Sequence, residues 1–281
     1  MKAAQLLANF DRLIEAPGAV PRLRRFILDL AVQGKLVAQD VGDEPAAELL
    51  KRIRTEKAGL VAAGVLKPEK PVQLREEIEC AVPTPSGWKL AYLQDVCMSI
   101  TDGDHLPPPQ TESGVPFLVI GNVRTQAIDF AGCRYVTDSY YQELAEIRRP
   151  FEGDILYTLV GSYGIPVIVK DSRPFCVQRH IGILRPTKTV SLEFLAHLLK
   201  SGLAFDQATK CATGIAQKTV PLAGLRAMRI PIPPLAEQHR IVAKVVELMA
   251  LCDQLEAQRI TIQTDSRRLL EAVLGAALAP A

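Results

Sequence analysis

A chain of 281 residues with 48% hydrophobic content can bury one large core or two modest ones, and its net charge of +2 is too small to announce a nucleic-acid partner by itself. Six cysteines (Cys80, Cys97, Cys133, Cys176, Cys211, Cys252) stand singly, without the paired spacing of a zinc ribbon or a disulfide framework. No signal peptide opens the chain and no apolar run reaches the roughly eighteen residues of a membrane span, so it reads as reduced, soluble and cytoplasmic.

In chain order, residues 1–15 and 21–34 read as two short helices divided by Ala16-Pro17-Gly18. Leu23, Phe26, Ile27, Leu30 and Ala31 form one apolar stripe on the second, and Gly34 closes it. A third helix is expected over Pro45–Ala63, with Ala46, Leu49, Leu50, Ile53 and Leu60 inward and Gly64 as its stop. Residues 1–66 thus form a helical region, and the proline-rich stretch 67–85 a linker.

From Trp88 the periodicity changes. The runs 116–123, 132–136, 154–160, 166–170 and 181–186 are short, β-branched and bounded by Gly, Pro, Asn and Asp. Ser139–Ile147 and Ser191–Lys200 read as helices between them. The expected fold class is α+β: a globular domain over 86–232 with a mixed, curved or barrel-like sheet.

Three prolines (Pro231, Pro233, Pro234) bar helix or central strand before Leu235, and then no proline or glycine interrupts the chain until Gly275. A single helix is expected over 233–278, with Glu237 at the positive end of its dipole. Ile241, Leu248, Leu255, Ile262 and Leu269 recur every seven residues, joined by Val245 and Cys252, which is the seam of a helix that lies along another long helix. At 1.5 Å per residue such a rod is about 60 Å long and can serve as a spacer. The alternative is an ordinary amphipathic helix broken near Arg259.

A search for catalytic chemistry finds no Walker loop, no dinucleotide fingerprint and no nucleophile elbow. Gly161-Ser162-Tyr163-Gly164 is a turn between strands. Lys170 ends a nuclease-like strand, but Ile168 stands where the metal-binding acid would be. Asp102-Gly103-Asp104-His105 has metal-ligand residue types, yet Asp side chains capping a tight turn explain it without a metal.

Several separated blocks then fall into a familiar order: residues 10–37, SGWKLAYLQDV (86–96), ITDGDHLPP (100–108), FEGDILYTLVGSYG (151–164), ATGIAQKTVPLAGL (212–225) and IPIPPLAEQHRIV (230–242). Together they resemble the DNA-specificity (S) subunit of Type I restriction–modification systems. The resemblance implies a target-recognition domain that reads double-stranded DNA, a long helix serving as spacer and dimer-like stalk, and no catalytic residues in this chain. It also implies methyltransferase (M) and restriction (R) partners that supply S-adenosylmethionine, ATP and Mg chemistry. Typical members carry two recognition domains and two spacers, whereas one of each is visible here. The chain is expected to be a half-subunit that pairs with itself, a partner of another half-subunit, or a truncated copy acting as an interaction scaffold without DNA reading. Self-pairing would give identical, inverted half-sites on the order of 15 base pairs apart.

Base reading requires Arg, Asn, Gln or similar groups on loops, and phosphate contact requires cations, hydroxyls and amides. The candidates are Asn122 and Arg124; Ser162 and Tyr163; Arg173, Gln178, Arg179 and the adjoining His180; and Lys210, Thr213, Gln217 and Lys218. Gln217 and Lys218 are favoured because Gly214 permits close backbone approach and an amide beside an ammonium suits a base edge beside a phosphate.

Overall fold

Among the described residues, three small sheets, rather than one curved sheet, carry the strand-forming runs. The computed structural model describes residues 18–68, 72, 84–105, 108–123 and 127–278. The expected helix over 1–15, most of the linker, Arg124 and Cys80 lie outside the described residues. The chain divides into two compact units, Met1–Ile27 with Ala243–Ala281, and Leu28–Val242.

The larger unit begins within helix α1 (Ala19–Val32), whose end is closed by Gly34 at φ 65°: Gly34 N–H bonds to Ala31 O and Lys35 N–H to Leu30 O. Helix α2 (Ala46–Ala62) buries Ala46, Leu49, Leu50 and Ile53. Strand β1 (Lys89–Tyr92) follows, then a 3-10 turn and β2 (Cys97–Asp102). Next come β3 (Val115–Leu118), β4 (Arg134–Val136), α3 (Asp138–Glu143), β5 (Ile155–Thr158), β6 (Pro166–Ile168), β7 (Cys176–Val177) and β8 (Ile181–Pro186). Helices α4 (Leu192–Lys200), α5 (Gly202–Cys211) and α6 (Leu222–Arg226) precede β9 (Arg229–Ile232) and α7 (Leu235–Ala277).

Four antiparallel strands form the main sheet in the order β2-β8-β5-β6. Every residue of β5 is buried, which is why ILYT reads as an unbroken apolar run rather than an alternating one. The second sheet, β4-β3-β7, separates two core clusters by simple alternation. Leu118 and Val177 face one, with Leu156, Phe175 and Ile183; Phe117 and Cys176 face the other, with Val136 and Tyr141. Arg185 grips buried Asp154 with two bonds of 3.0 and 2.9 Å and lies over the Phe151 ring, bracing the edge where β5 and β8 pair.

Among the described residues the third sheet consists of β1 and β9, antiparallel, with Pro231 opposite Leu90. A two-stranded ribbon has no central strand, so Pro231 is tolerated there. It delivers the chain to α7, whose first two turns are held by three internal ties. Trp88 Nε1–H donates to Glu237 at 2.9 Å, Ser191 N–H donates to Gln238 Oε1, and Arg240 pairs with Asp43 at 2.5 Å. Glu237 is therefore not a solvent-facing dipole charge: it is 1% exposed, its Oε1 lacks a partner, and burial raises its pKa.

In the smaller unit, Arg24 of α1 bonds Asp253 and Glu256 of α7 at 2.6 and 2.9 Å. Val20, Ile27, Val245 and Cys252 are buried there, and Leu248 and Leu255 half-buried. From Ile260 to Leu274 every residue of α7 is exposed, including Ile262 (66%) and Leu269 (67%). The heptad seam is thus partnered over its first half and open over its second. Among the described residues no helix is long and apolar enough to cross a membrane.

Candidate nucleic-acid interface

Strand β2 ends in the turn Asp102-Gly103-Asp104-His105, which packs against the segment joining β7 to β8. Gly103 is required: a Cβ there would run into the Val177 carbonyl oxygen and lie 2.6 Å from the Gln178 carbonyl carbon. Asp104 forms a parallel bridge with Gln178, and Gly103 N–H bonds to Ile181 O at 3.2 Å. The turn's carboxylates are engaged in internal bonds. Asp102 Oδ2 lies 3.0 Å from His105 Nε2 and its Oδ1 3.5 Å from Arg148. Asp104 accepts from the Tyr140 hydroxyl and from His105 N–H, both at 2.8 Å. Burial, then that bond to Asp104, pushes the Tyr140 pKa up, so the phenol stays protonated and donates.

The segment Gln178-Arg179-His180 forms a ridge between two clefts. One, of about 380 Å³, is lined by Asp102, Arg179, His180, Gln217 and Thr219 among others. The other, of about 340 Å³, includes Asp104, His105, Gln110, Arg134 and the whole ridge. Arg179 is exposed, and His180 is kept neutral by burial and by the Arg179 charge, which together lower its pKa. Two guanidiniums, three carboxamides and two imidazoles on concave walls are the donors and acceptors that base edges require.

The loop 213–219 forms the far wall. Thr213 and Thr219 exchange backbone bonds of 2.9 and 2.7 Å, and Gly161 N–H donates to Lys218 O, so the GSYG turn and this loop brace one another. Gly214 adopts φ 99°, with Gln217 O only 2.5 Å from where a Cβ would sit. This closure leaves Gln217, Lys218 and Thr213 exposed, with Ile215 fully exposed at the tip.

Of the residues expected from sequence, the clefts bring together Gln178, Arg179, His180 and Gln217. Lys210 is exposed at the end of α5, and Ser162 in the GSYG turn. Others are committed elsewhere. Asn122 is buried, its Oδ1 accepting from Val119 N–H at 3.0 Å and its amide donating to Asp129 O at 2.9 Å, which braces a loop rather than presenting an amide to DNA. Tyr163 stacks on Phe205 at 5.6 Å and shares a bond with Thr209. Arg173 pairs with Asp171 at 2.8 Å and lies over Phe130. The sequence does not mark His105, Gln110, Arg134 and Thr219 as readers; only the DGDH turn offers a signal, and it reads as a capped turn.

The profile of the family described as "Type I restriction modification DNA specificity domain" matches residues 85–263. The chain belongs to that family. It is 35% identical to the Type I restriction enzyme EcoAI specificity subunit of Escherichia coli over 91% of this chain and 44% of that protein. Against the EcoEI specificity subunit of Escherichia coli the identity is 28%, over 98% and 48%. The HsdS subunit from Thermoanaerobacter tengcongensis shares the fold with a TM-score of 0.51 at 20% identity, covering 96% of this chain and 56% of that one. This specificity-family chain spans about half the length of those curated relatives. The matched segment runs from the start of β1 into α7 and so includes both clefts and the open seam's beginning.

Proposed function

We propose that this chain is the sequence-reading component of a Type I restriction–modification complex. Its 86–232 region reads one half-site in double-stranded DNA. The observation that carries the reading is the convergence of Gln178, Arg179 and Gln217 on two adjoining clefts, with Lys218, Lys210 and Thr213 beside them. Arg179 and the two glutamines address base edges, while the lysines, Thr213 and the exposed Ser162 hydroxyl hold phosphates. Metal binding is not part of the proposal, since Asp102 and Asp104 are engaged by Arg148, His105 and Tyr140.

In this proposal methyl transfer and cleavage belong to cytoplasmic partner subunits, the methyltransferase bringing S-adenosylmethionine and the restriction subunit ATP and magnesium. Residues 233–278 act as spacer and pairing helix. The support is the exposed row Ile262, Leu269 and Val273 on α7, apolar at helical spacing and open to solvent in one copy of the chain. A second half-subunit, identical or related, covers that row and places two recognition domains on inverted half-sites.

Reconstitution tests the reading. Methyl transfer to duplex DNA by the co-purified methyltransferase should require this chain and depend on DNA sequence. Methylation that proceeds equally without the chain would overturn it.

A further inference from the structure

We propose that His105 is a specificity-determining residue of the recognition domain, offering its ring Nδ1 as a hydrogen-bond acceptor to an exocyclic amino group, adenine N6 or cytosine N4. The inference rests on the DNA-reading role proposed above and adds a residue, a contacting atom and a base chemistry to it.

The tautomer follows from the partner. An ionised carboxylate only accepts, so the 3.0 Å contact between Asp102 Oδ2 and His105 Nε2 places the ring proton on Nε2. With that proton on Nε2, the lone pair of the one-proton ring is on Nδ1. Asp102 cannot swing away: it is the last residue of β2, is 8% exposed, and has Arg148 on its other oxygen. Arg148 also donates to the Gly103 carbonyl, which fixes the turn beneath the ring. The ring itself is 57% exposed and opens into the cleft that holds Gln178, Arg179 and Arg134.

Those arginines can only donate, both oxygens of Asp104 are already engaged, and the Gln178 and Gln110 carboxamides are acceptors that no bond to a buried carboxylate orients as Asp102 orients the His105 ring. An amino group entering the cleft therefore meets in His105 Nδ1 an acceptor that is oriented in advance. A histidine held this way by a carboxylate is a preorganised reader, whereas a mere structural brace would not need its ring exposed.

Asp102→Asn inverts the polarity. Arg148 keeps the amide oxygen on its own side, the amide NH₂ turns to Nε2, and the ring proton moves to Nδ1. The ring then offers a donor where it offered an acceptor.

The test begins with selection from randomised duplexes by the purified full chain with its co-purifying partners. The selected duplex is then remade with each adenine replaced by purine and each cytosine by pyrimidin-2-one, one position at a time, so that one amino group is deleted each time. Wild type should lose roughly tenfold in affinity at one such position. His105→Ala should bind the parent duplex correspondingly more weakly and show no further loss there. Asp102→Asn should prefer the duplex lacking that amino group. The replaced base, purine or pyrimidinone, identifies which amino group is read. If every amino deletion affects wild type and His105→Ala equally, or if Asp102→Asn keeps the wild-type preference, the assignment is wrong. If wild type selects no sequence at all, the DNA-reading role itself fails.

Discussion

Removing the open apolar row on α7 should abolish pairing without touching DNA reading. Ile262 and Leu269 are 66% and 67% exposed, so about two-thirds of each side chain remains available for burial. Complete burial of an Ile or Leu side chain is worth about 1.5–3 kcal/mol, which leaves roughly 1–2 kcal/mol per residue. A symmetric pair counts each substitution twice, so Ile262→Ala with Leu269→Ala should weaken association by about 4–8 kcal/mol as an upper bound. That is on the order of a thousandfold or more in Kd. Sedimentation across a concentration series should show wild type as a pair, and the double variant as monomer with unchanged helix content. A monomeric wild type at tens of micromolar, or a double variant that pairs as tightly as wild type, would refute the reasoning.

The remaining predictions concern the recognition domain and the root of α7. Lys218→Ala should weaken binding to every duplex and reduce its salt dependence by about one phosphate contact, whereas Gln217→Ala should relax specificity by about 1–3 kcal/mol at one position; competition titrations at several salt concentrations separate them. Gly103→Ala must displace the Val177–Gln178 backbone, which should destabilise the domain by about 1–3 kcal/mol and disrupt the ridge, as read by denaturant melts and duplex binding. Glu237→Gln removes a charge that burial disfavours, as the raised carboxylate pKa records. In wild type that group's contribution to stability falls as pH rises through its folded pKa. The variant should therefore gain in Tm over wild type at neutral pH and lose that advantage below the unfolded carboxylate range. A difference that instead grows as pH falls would contradict the burial argument.

How much of this was legible depends on whether partners lie near in sequence. The run IGILRP announces β8 over its full length, and Pro233-Pro234 marks the start of α7, because local propensity and tertiary packing agree there. Strands β1 and β9 escape notice: KLAY and RIPI are four residues each, the second holds a proline, and they find one another only across most of the domain. Helix α5 is hidden by Gly202 at its start and by Ser201, which both ends α4 and accepts from Ala204 N–H as the cap of α5. The same distance rule governs the interface. Gln178, Arg179 and Gln217 are recognisable as polar loop residues, but the ridge between two clefts is not, since it depends on β2 lying beside the β7–β8 connection. Asp102 and Asp104 have metal-ligand residue types and read in sequence as turn caps; Arg148 and Tyr140, which engage them, lie 46 and 36 residues away. Asn122 looks like a reader from its loop position, and only its bond to Asp129 O makes it a brace.

The proposed role is to choose where a partner methyltransferase acts. Methylome sequencing of cells with and without the chain tests that most directly. The expected result is adenine or cytosine methylation confined to a bipartite sequence with inverted halves, present only when the chain is expressed. An unchanged methylome, or a continuous recognition sequence, would contradict the account.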